Sequence, residues 1–121
     1  MKLGRKISGG KYKKSRKKKK YELGHHKRIV SLKETKQKIL RVIGGNKKIV
    51  LLSVNEINVI DPKTKKAKKA KIKNVLETPS NRFLARQNII TKGAIIETDI
   101  GKVRVMNRPS QEGSAQGILI E

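Results

Sequence analysis

The chain has 121 residues, the size of one domain, and its 32 Lys and Arg against 9 Asp and Glu give a formal net charge of +23. It contains no cysteine, which excludes disulfides, thiolate metal sites and a cysteine nucleophile. No apolar run approaches the ~20 residues that span a bilayer, and no apolar stretch follows the basic N-terminus as it would in a signal peptide. We therefore expect a cytoplasmic protein without membrane contact.

The first segment, residues 1–28, is predicted to be an extended basic arm. It holds 13 Lys and Arg and a single acid, Glu22, and seven cations fill the eight positions 13–20. Like charges at that density repel one another, so we expect the arm to be disordered when free and ordered on a polyanionic partner. The alternatives for such a charge run are a solvated tail and a localisation signal.

The remaining residues, 29–121, are predicted to form a small β-barrel body. Their composition favours strands, because the chain has 23 Ile and Val against 14 Leu and Ala, and branching at Cβ suits a pleated sheet. Strands are predicted around residues 40–42, 49–54 and 57–60. A turn is predicted at residues 61–64, where Asp61 precedes Pro62.

The second charged segment, residues 62–74, holds seven Lys and no acid. Residues 68–76 alternate, which predicts a strand with Ala70, Ile72, Asn74 and Leu76 on one face and Lys69, Lys71, Lys73 and Val75 on the other. A row of three ammonium groups would follow a nucleic-acid backbone. The competing interpretation is an edge strand whose lysines discourage pairing with other chains.

A short helix is predicted over residues 81–87, with Ser80 as its N-cap. Arg82 and Arg86 would share a face of that helix, to contact phosphate or to pair with Glu77 or Asp99. Further strands are predicted at residues 89–90, 94–96, 102–105 and 117–120. The sequence thus predicts a mainly β fold: a small antiparallel barrel of six or seven strands with one short helix and the basic arm.

Catalysis finds little support in the sequence. The two histidines, His25 and His26, are adjacent to each other, and the nine acids are scattered singly. General acid–base chemistry and metal binding both need such groups gathered at suitable spacing. We expect neither an enzyme nor a metal, cofactor or small-molecule site.

RNA is favoured over DNA as the polyanion. The sequence offers no helix long enough to fill a major groove, no zinc-finger ligands and no basic region followed by heptads. The aromatic pattern of RNA-stacking sheets is also missing. What remains is neutralisation of the RNA backbone, for which the candidate residues are Lys2, Arg5, Lys6, Lys11, Lys13, Lys14, Arg16, Lys17, Lys18, Lys19, Lys20, His25, His26, Lys27, Arg28, Lys69, Lys71, Lys73, Arg82, Arg86 and Arg108.

Four stretches of the chain resemble a known family: residues 4–10 (GRKISGG), 16–24 (RKKKKYELG), 81–98 (NRFLARQNIITKGAIIET) and 101–109 (GKVRVMNRP). The family is the small-subunit ribosomal protein eS-eight, or S-eight-e, of archaea and eukaryotes, and the short chain looks like the archaeal form. Met106, Asn107 and Ser110 depart from the pattern expected in relatives, but they fall in a loop.

The resemblance implies a structural constituent of the small ribosomal subunit that binds small-subunit rRNA through its arm and barrel. It also implies contact with neighbouring small-subunit proteins, and we expect no homo-oligomer. Two alternatives from other classes are a free, nucleoid-type protein that binds DNA without sequence preference, and a hydrolase acting on RNA.

Overall fold

The computed structural model describes residues 4–24 and 26–120. It is mainly β, which confirms the expected class. The strands are β1 (Ser31–Leu32), β2 (Lys36–Arg41), β3 (Lys47–Val54), β4 (Glu56–Ile60), β5 (Ala67–Glu77), β6 (Ile95–Thr98), β7 (Lys102–Val105) and β8 (Gln116–Ile120). The α-helix of the described chain is α1 (Arg82–Arg86), and 3-10 turns cover Lys20–Glu22 and Ile43–Gly45.

The strands of the described chain form two sheets rather than one barrel of six or seven antiparallel strands. Strands β4 to β8 close a barrel in chain order, and β1, β3 and β2 form a three-stranded sheet with β3 in the middle. An up-and-down barrel with five strands must bring its first and last strands together in the same direction. Accordingly β4 pairs with β8 in parallel, as β1 does with β3, so the expectation of a wholly antiparallel sheet was wrong in these two pairings.

The core lies inside the barrel and beneath the three-stranded sheet. Buried and exposed residues alternate clearly in β7, where Val103 and Val105 are fully buried and Lys102 and Arg104 are exposed. The side chains of Leu51, Ile57, Ile90 and Ile96 are among the largest that are fully buried. Branched aliphatic residues thus fill the barrel, as the excess of Ile and Val predicted.

The predicted faces of β5 are correct only in its first half. Ala70 and Ile72 are buried and Lys69, Lys71 and Lys73 are exposed, but Val75 is buried and Asn74 and Leu76 are exposed. The pairing of β5 with β6 shifts register between Ile72 and Asn74. A β-bulge adds one residue to one strand, and because side chains alternate with a period of two, the extra residue exchanges the faces beyond it.

Two other local predictions change in the structure. The predicted strand at residues 89–90 is an isolated bridge, in which Ile89 opposes Ser31. The first predicted strand, at residues 40–42, is the longer β2, and Val42 lies beyond it with its N–H donating to the Asn46 carbonyl. The turn at residues 61–64 is confirmed, because the Asp61 carboxylate accepts bonds from the Lys63 N–H and the Thr64 hydroxyl.

The chain enters the body at residues 28–32, which are held by several hydrogen bonds. The Ile90 N–H donates to the Val30 carbonyl and the Leu32 N–H to the Asn88 carbonyl, both at 2.9 Å. Val30 is buried, and the Arg28 Nε donates to the Ser110 carbonyl at 3.2 Å. These bonds fix the place where the arm leaves the body. No helix in the described part of the chain is long and apolar enough to cross a membrane.

We expect Gly117→Ala to destabilise the barrel at its closure. A Cβ at this position would lie 2.5 Å from Val103 Cγ1 and 2.8 Å from the Arg104 carbonyl oxygen, so both the side chain and the backbone of β7 would have to move. Overpacking of this kind costs about 1–3 kcal/mol in the free energy of unfolding, measured by urea denaturation. Gly24→Ala is the control, since nothing lies within 4 Å of a Cβ there. Equal stability of the two variants would contradict this packing.

Candidate nucleic-acid interface

The cations predicted from the sequence are distributed over three surfaces and one groove. Those that the structure describes are exposed, except Arg28, which is half-buried. Lys2 and His25 lie outside the described residues. The three surfaces are the arm, the lysine side of β5 and helix α1; the groove is where Lys27, Arg28 and Arg108 meet.

The first part of the arm is a tight turn between Arg5 and Lys11, which face each other in an isolated antiparallel bridge. The Lys6 carbonyl accepts the Gly9 N–H at 2.9 Å, and the Lys6 N–H donates to the Gly10 carbonyl at 2.8 Å. Gly9 has a φ of +79°, a region that disfavours side chains with a Cβ. The glycines therefore turn the chain sharply and present Arg5, Lys6 and Lys11 together.

The second part of the arm is a loop closed by its only acid. The two terminal nitrogens of the Arg16 guanidinium donate to the two carboxylate oxygens of Glu22 at 2.8 and 2.7 Å. The Lys19 N–H donates to Glu22 Oε2 at 3.0 Å, at the start of the 3-10 turn Lys20–Glu22. We call this arrangement the Arg16–Glu22 clasp. It pairs one cation of the run and leaves residues 17–20 exposed.

Residues 4–24 of the arm make their hydrogen bonds with one another rather than with the body. The backbone and side-chain bonds of residues 4–24, within the described chain, all join partners no more than six residues apart. Apart from Arg16, its cations have no ion pair among the described residues, although the Lys6 and Lys19 ammonium groups each lie 5.8 Å from a tyrosine ring centre, Tyr12 and Tyr21 respectively. These charges are available for an external partner.

The lysine side of β5 is less positive than the sequence predicted. Lys71 lies opposite Glu56 on β4, and the Lys73 ammonium is 3.5 Å from Asp99. Lys69 lies opposite the neutral Asn58. The three lysines do share the expected outer face, but a carboxylate lies beside two of them and lowers the local positive charge. This surface is therefore a weaker candidate for phosphate contact than the arm.

Helix α1 is a single turn that begins after Asn81, and Asn81 rather than Ser80 caps it. The Asn81 side-chain oxygen accepts the Phe83 N–H at 2.9 Å. Arg82 and Arg86 are the first and last residues of the helix, and the Arg82 guanidinium lies 5.2 Å from the Phe83 ring centre. Asp99, one of the two acids considered as their partner, pairs instead with Lys73. Both guanidinium groups are exposed and can face an RNA backbone.

A groove of about 440 Å³ lies beside the junction of arm and body, and three predicted cations line it. Lys27 and Arg28 come from one segment and Arg108 from another, and the Arg28 Nε joins the two by donating to the carbonyl of Ser110, 82 residues further along the chain. A fourth cation, Lys92, lines the same groove but was absent from the sequence prediction. It follows a strand-like segment and precedes Gly93, and a turn lysine of this kind carries no sequence signal of its function.

The described residues contain no group of three or more His, Asp or Glu that could hold a metal ion. The pKa is lowered for two carboxyl groups, Glu22 in the arm and Asp61 in a surface turn. Each shift is explained by local hydrogen bonds. The arrangement is suited to binding a polyanion through many separate cations.

The fold and the charges define a class of protein: a small, closed β-barrel with a basic arm and several cationic surfaces. The family model of ribosomal protein S8e matches residues 1–120. The chain therefore belongs to this family, which is the family that its sequence motifs resemble. As a member it has a structural role in the ribosome and is not an enzyme.

Archaeal relatives are similar over nearly their whole length. "Small ribosomal subunit protein eS8" of Methanococcus aeolicus is 52% identical over 117 residues, which cover 96% of this chain and 91% of the relative. The protein of the same name from Nanoarchaeum equitans is 48% identical over 115 residues, covering 95% and 91%. That from Sulfolobus acidocaldarius is 48% identical over 118 residues, covering 96% and 91%.

We expect the Arg16–Glu22 clasp to open in acid. Hydrogen bonds from the Arg16 guanidinium and then from the Lys19 N–H hold the pKa of Glu22 below its ordinary value. Because the pKa of Glu22 is lowered, the clasp is fully formed at any pH above the ordinary pKa of a glutamate. It is lost as the pH falls through the lowered pKa of Glu22. A ¹³C NMR titration of the Glu22 carboxyl measures this. In Arg16→Gln the midpoint should move up towards that of a free glutamate; an unchanged midpoint would contradict the clasp.

We expect Arg86→Lys to weaken the binding of small-subunit rRNA although the charge is kept. A guanidinium can hold two phosphate oxygens in a fixed geometry, which an ammonium cannot. Removing one such two-pronged bond should lower the affinity several-fold at near-physiological salt, as measured by filter binding. Arg41→Lys is the matched control, because Arg41 is an exposed arginine at the end of β2, outside the predicted interface. Equal affinities of the two variants would reduce Arg86 to a surface charge.

Proposed function

We propose that this protein is a structural constituent of the small ribosomal subunit that binds small-subunit rRNA and supports the folding of that rRNA during assembly. The relatives are named as small ribosomal subunit proteins, and family membership supports the expected location in the cytoplasmic small subunit. The arm neutralises phosphates, and the barrel fixes where the arm enters the RNA. Release of counterions from the RNA supplies much of the affinity.

The observation that carries this proposal is the separation of the charge from the core. The arm holds 13 Lys and Arg against one acid, and its described residues are exposed except for Arg28. Within the described chain, residues 4–24 bond only with one another, and Arg28 makes the hydrogen bond that joins the arm to the body. The barrel buries branched aliphatic side chains and needs none of those charges. A segment with that charge density gains nothing from the body, but gains greatly from the phosphates of a folded RNA.

The division of labour follows from the same separation. We infer that residues 1–28 are an RNA-binding arm and residues 29–121 a body that folds without it. The arm orders on RNA, because its own bonds are few and fully exposed to water. The net charge of +23 opposes self-association, so the protein acts as one copy among neighbouring small-subunit proteins. A free DNA-compacting role finds no support in the family.

The test replaces arm charges in the full-length protein. A variant with Lys13, Lys14, Lys17 and Lys18 changed to Gln should bind small-subunit rRNA more weakly. The slope of log affinity against log salt should fall by roughly 0.7–0.9 for each phosphate that the arm no longer neutralises. The control changes Lys33, Lys36, Lys38 and Lys47 to Gln, which removes the same charge from exposed positions of the three-stranded sheet and its flanking loop.

The control variant should keep most of the salt dependence of rRNA binding, because the lysines that it replaces lie outside the proposed interface. Equal slopes for the two variants would show that net charge alone governs binding, and would overturn the arm as the main electrostatic element. Binding of duplex DNA as tightly as rRNA by the unaltered protein would overturn the rRNA proposal itself.

A further inference from the structure

The groove beside the junction of arm and body differs in character from the other cationic surfaces. It is concave and has an apolar floor, to which Val30, Leu84, Ile89, Ile90 and Pro109 contribute. Its volume of about 440 Å³ falls within the range of roughly 300–1,000 Å³ typical of small-ligand sites. A cation that only neutralises a phosphate needs no apolar cavity behind it.

The charged side chains that line the groove are all positive. Lys27, Arg28, Lys92 and Arg108 line it, and among the described residues no Asp or Glu does. The side chains of Lys27, Lys92 and Arg108 have no ion pair or hydrogen bond within the described chain. Unlike the lysines of β5, these cations are not offset by neighbouring acids, so the groove suits a ligand that carries negative charge beside an apolar group.

The guanidinium group of Arg28 is positioned to bind a phosphate. Its Nε donates to the Ser110 carbonyl at 3.2 Å, and the side chain is half-buried, which fixes the plane of the guanidinium. The two terminal nitrogens are left for an oxyanion. Such a fork is pre-organised, so little conformational entropy is lost when it binds.

The groove also offers neutral polar groups. The hydroxyls of Ser80 and Thr91 lie 3.5 Å apart on one side, close to Asn81 at the start of α1. Hydroxyl and amide groups can donate to or accept from the edge of a nucleobase. Enzymes that take a base out of its stack read it in the same manner, between apolar side chains and through hydrogen bonds to its edge.

We propose that this groove holds one unstacked nucleotide of a single-stranded rRNA segment. The base lies on the apolar floor, and its flanking phosphates meet the cationic rim. A duplex offers phosphates on a convex surface but keeps its bases stacked, whereas loops and bulges can present a base to such a groove. This inference rests on the proposed function, since it supplies a base-reading contact to a protein otherwise held by phosphates.

The test compares two short RNA oligomers of equal phosphate number, an oligouridylate and its abasic counterpart, with the full-length protein. The protein should bind the intact oligomer about tenfold more tightly, a factor that burial of roughly 55 Å² of apolar base surface supplies. Oligoglutamate of equal charge should bind no better than the abasic chain. Equal binding of the intact and abasic oligomers, or preferred binding of oligoglutamate, would overturn the proposal.

Matched variants locate the contact. Ile29 lines the groove and is 57% exposed, so Ile29→Asp places a carboxylate on its wall without cutting into the core. The control is Ile43→Asp, at an isoleucine that is fully exposed and does not line the groove. The first variant should lose the preference for the intact oligomer, and the second should keep it. Retention of the preference in both variants would overturn the site.

A second pair of variants tests the same site in case the first pair does not fold. Lys92→Glu changes the rim, and Lys102→Glu makes the same change at an exposed position of β7. Only Lys92→Glu should remove the preference, and equal preferences in the two variants would count against the groove. Binding of small-subunit rRNA by the unaltered protein is measured in parallel. Failure to bind rRNA overturns the proposed function, whereas intact rRNA binding without base preference overturns the groove alone.

Discussion

Repulsion among like charges limits where this chain can build a core, and the remaining features follow from that limit. A net charge of +23 on 121 residues opposes compaction, so the stable part must be the part in which charges are few or balanced. Residues 75–121, which supply three of the five barrel strands, carry six basic and five acidic residues. The barrel closes on Gly117, where β8 approaches Val103 too closely for any side chain.

The arm, which cannot contribute to that core, is organised by short-range bonds instead. Gly9 turns the first basic segment, and Glu22 closes the second through Arg16. A single carboxylate among 13 cations is too little to neutralise the arm, but it closes a loop by accepting hydrogen bonds from the Arg16 guanidinium and the Lys19 N–H. The groove is the point at which the two parts meet, because Arg28 bonds to the Ser110 loop as the chain enters the body. An RNA held there contacts both parts at once.

Much of the fold could be predicted from composition and alternation. The excess of Ile and Val predicted a β fold, and the turn at Asp61 was predictable because Asp and Pro each favour it for a known reason. The parallel pairing of β4 with β8 depends on how many strands close the barrel, which no local pattern encodes. The bulge after Ile72 exchanged the faces of β5, so Val75 is buried where alternation placed Leu76.

The residues of the proposed interface could be predicted from the sequence where cations are dense along the chain. They could not be predicted where the local charge depends on residues that only the tertiary fold brings together. The exposure of the arm lysines follows from their spacing alone. Lys71 and Lys73 lose part of their effect because β4 and the turn after β6 bring Glu56 and Asp99 beside them. Lys92 joins the proposed interface because folding places it in the same groove as Arg28. Cross-strand and cross-loop partners of this kind lie far apart in the sequence.

The central claim is that the arm, rather than the barrel, carries the electrostatic contact with RNA. The most direct measurement is the rate at which each lysine reacts with an acylating reagent, read by mass spectrometry, in the free protein and in intact small subunits. Lys13, Lys14, Lys17 and Lys18 should react rapidly in the free protein and be strongly protected in the subunit, while Lys36 and Lys38 on β2 change little. Arm lysines that stay as reactive in the subunit as in the free protein would contradict the account.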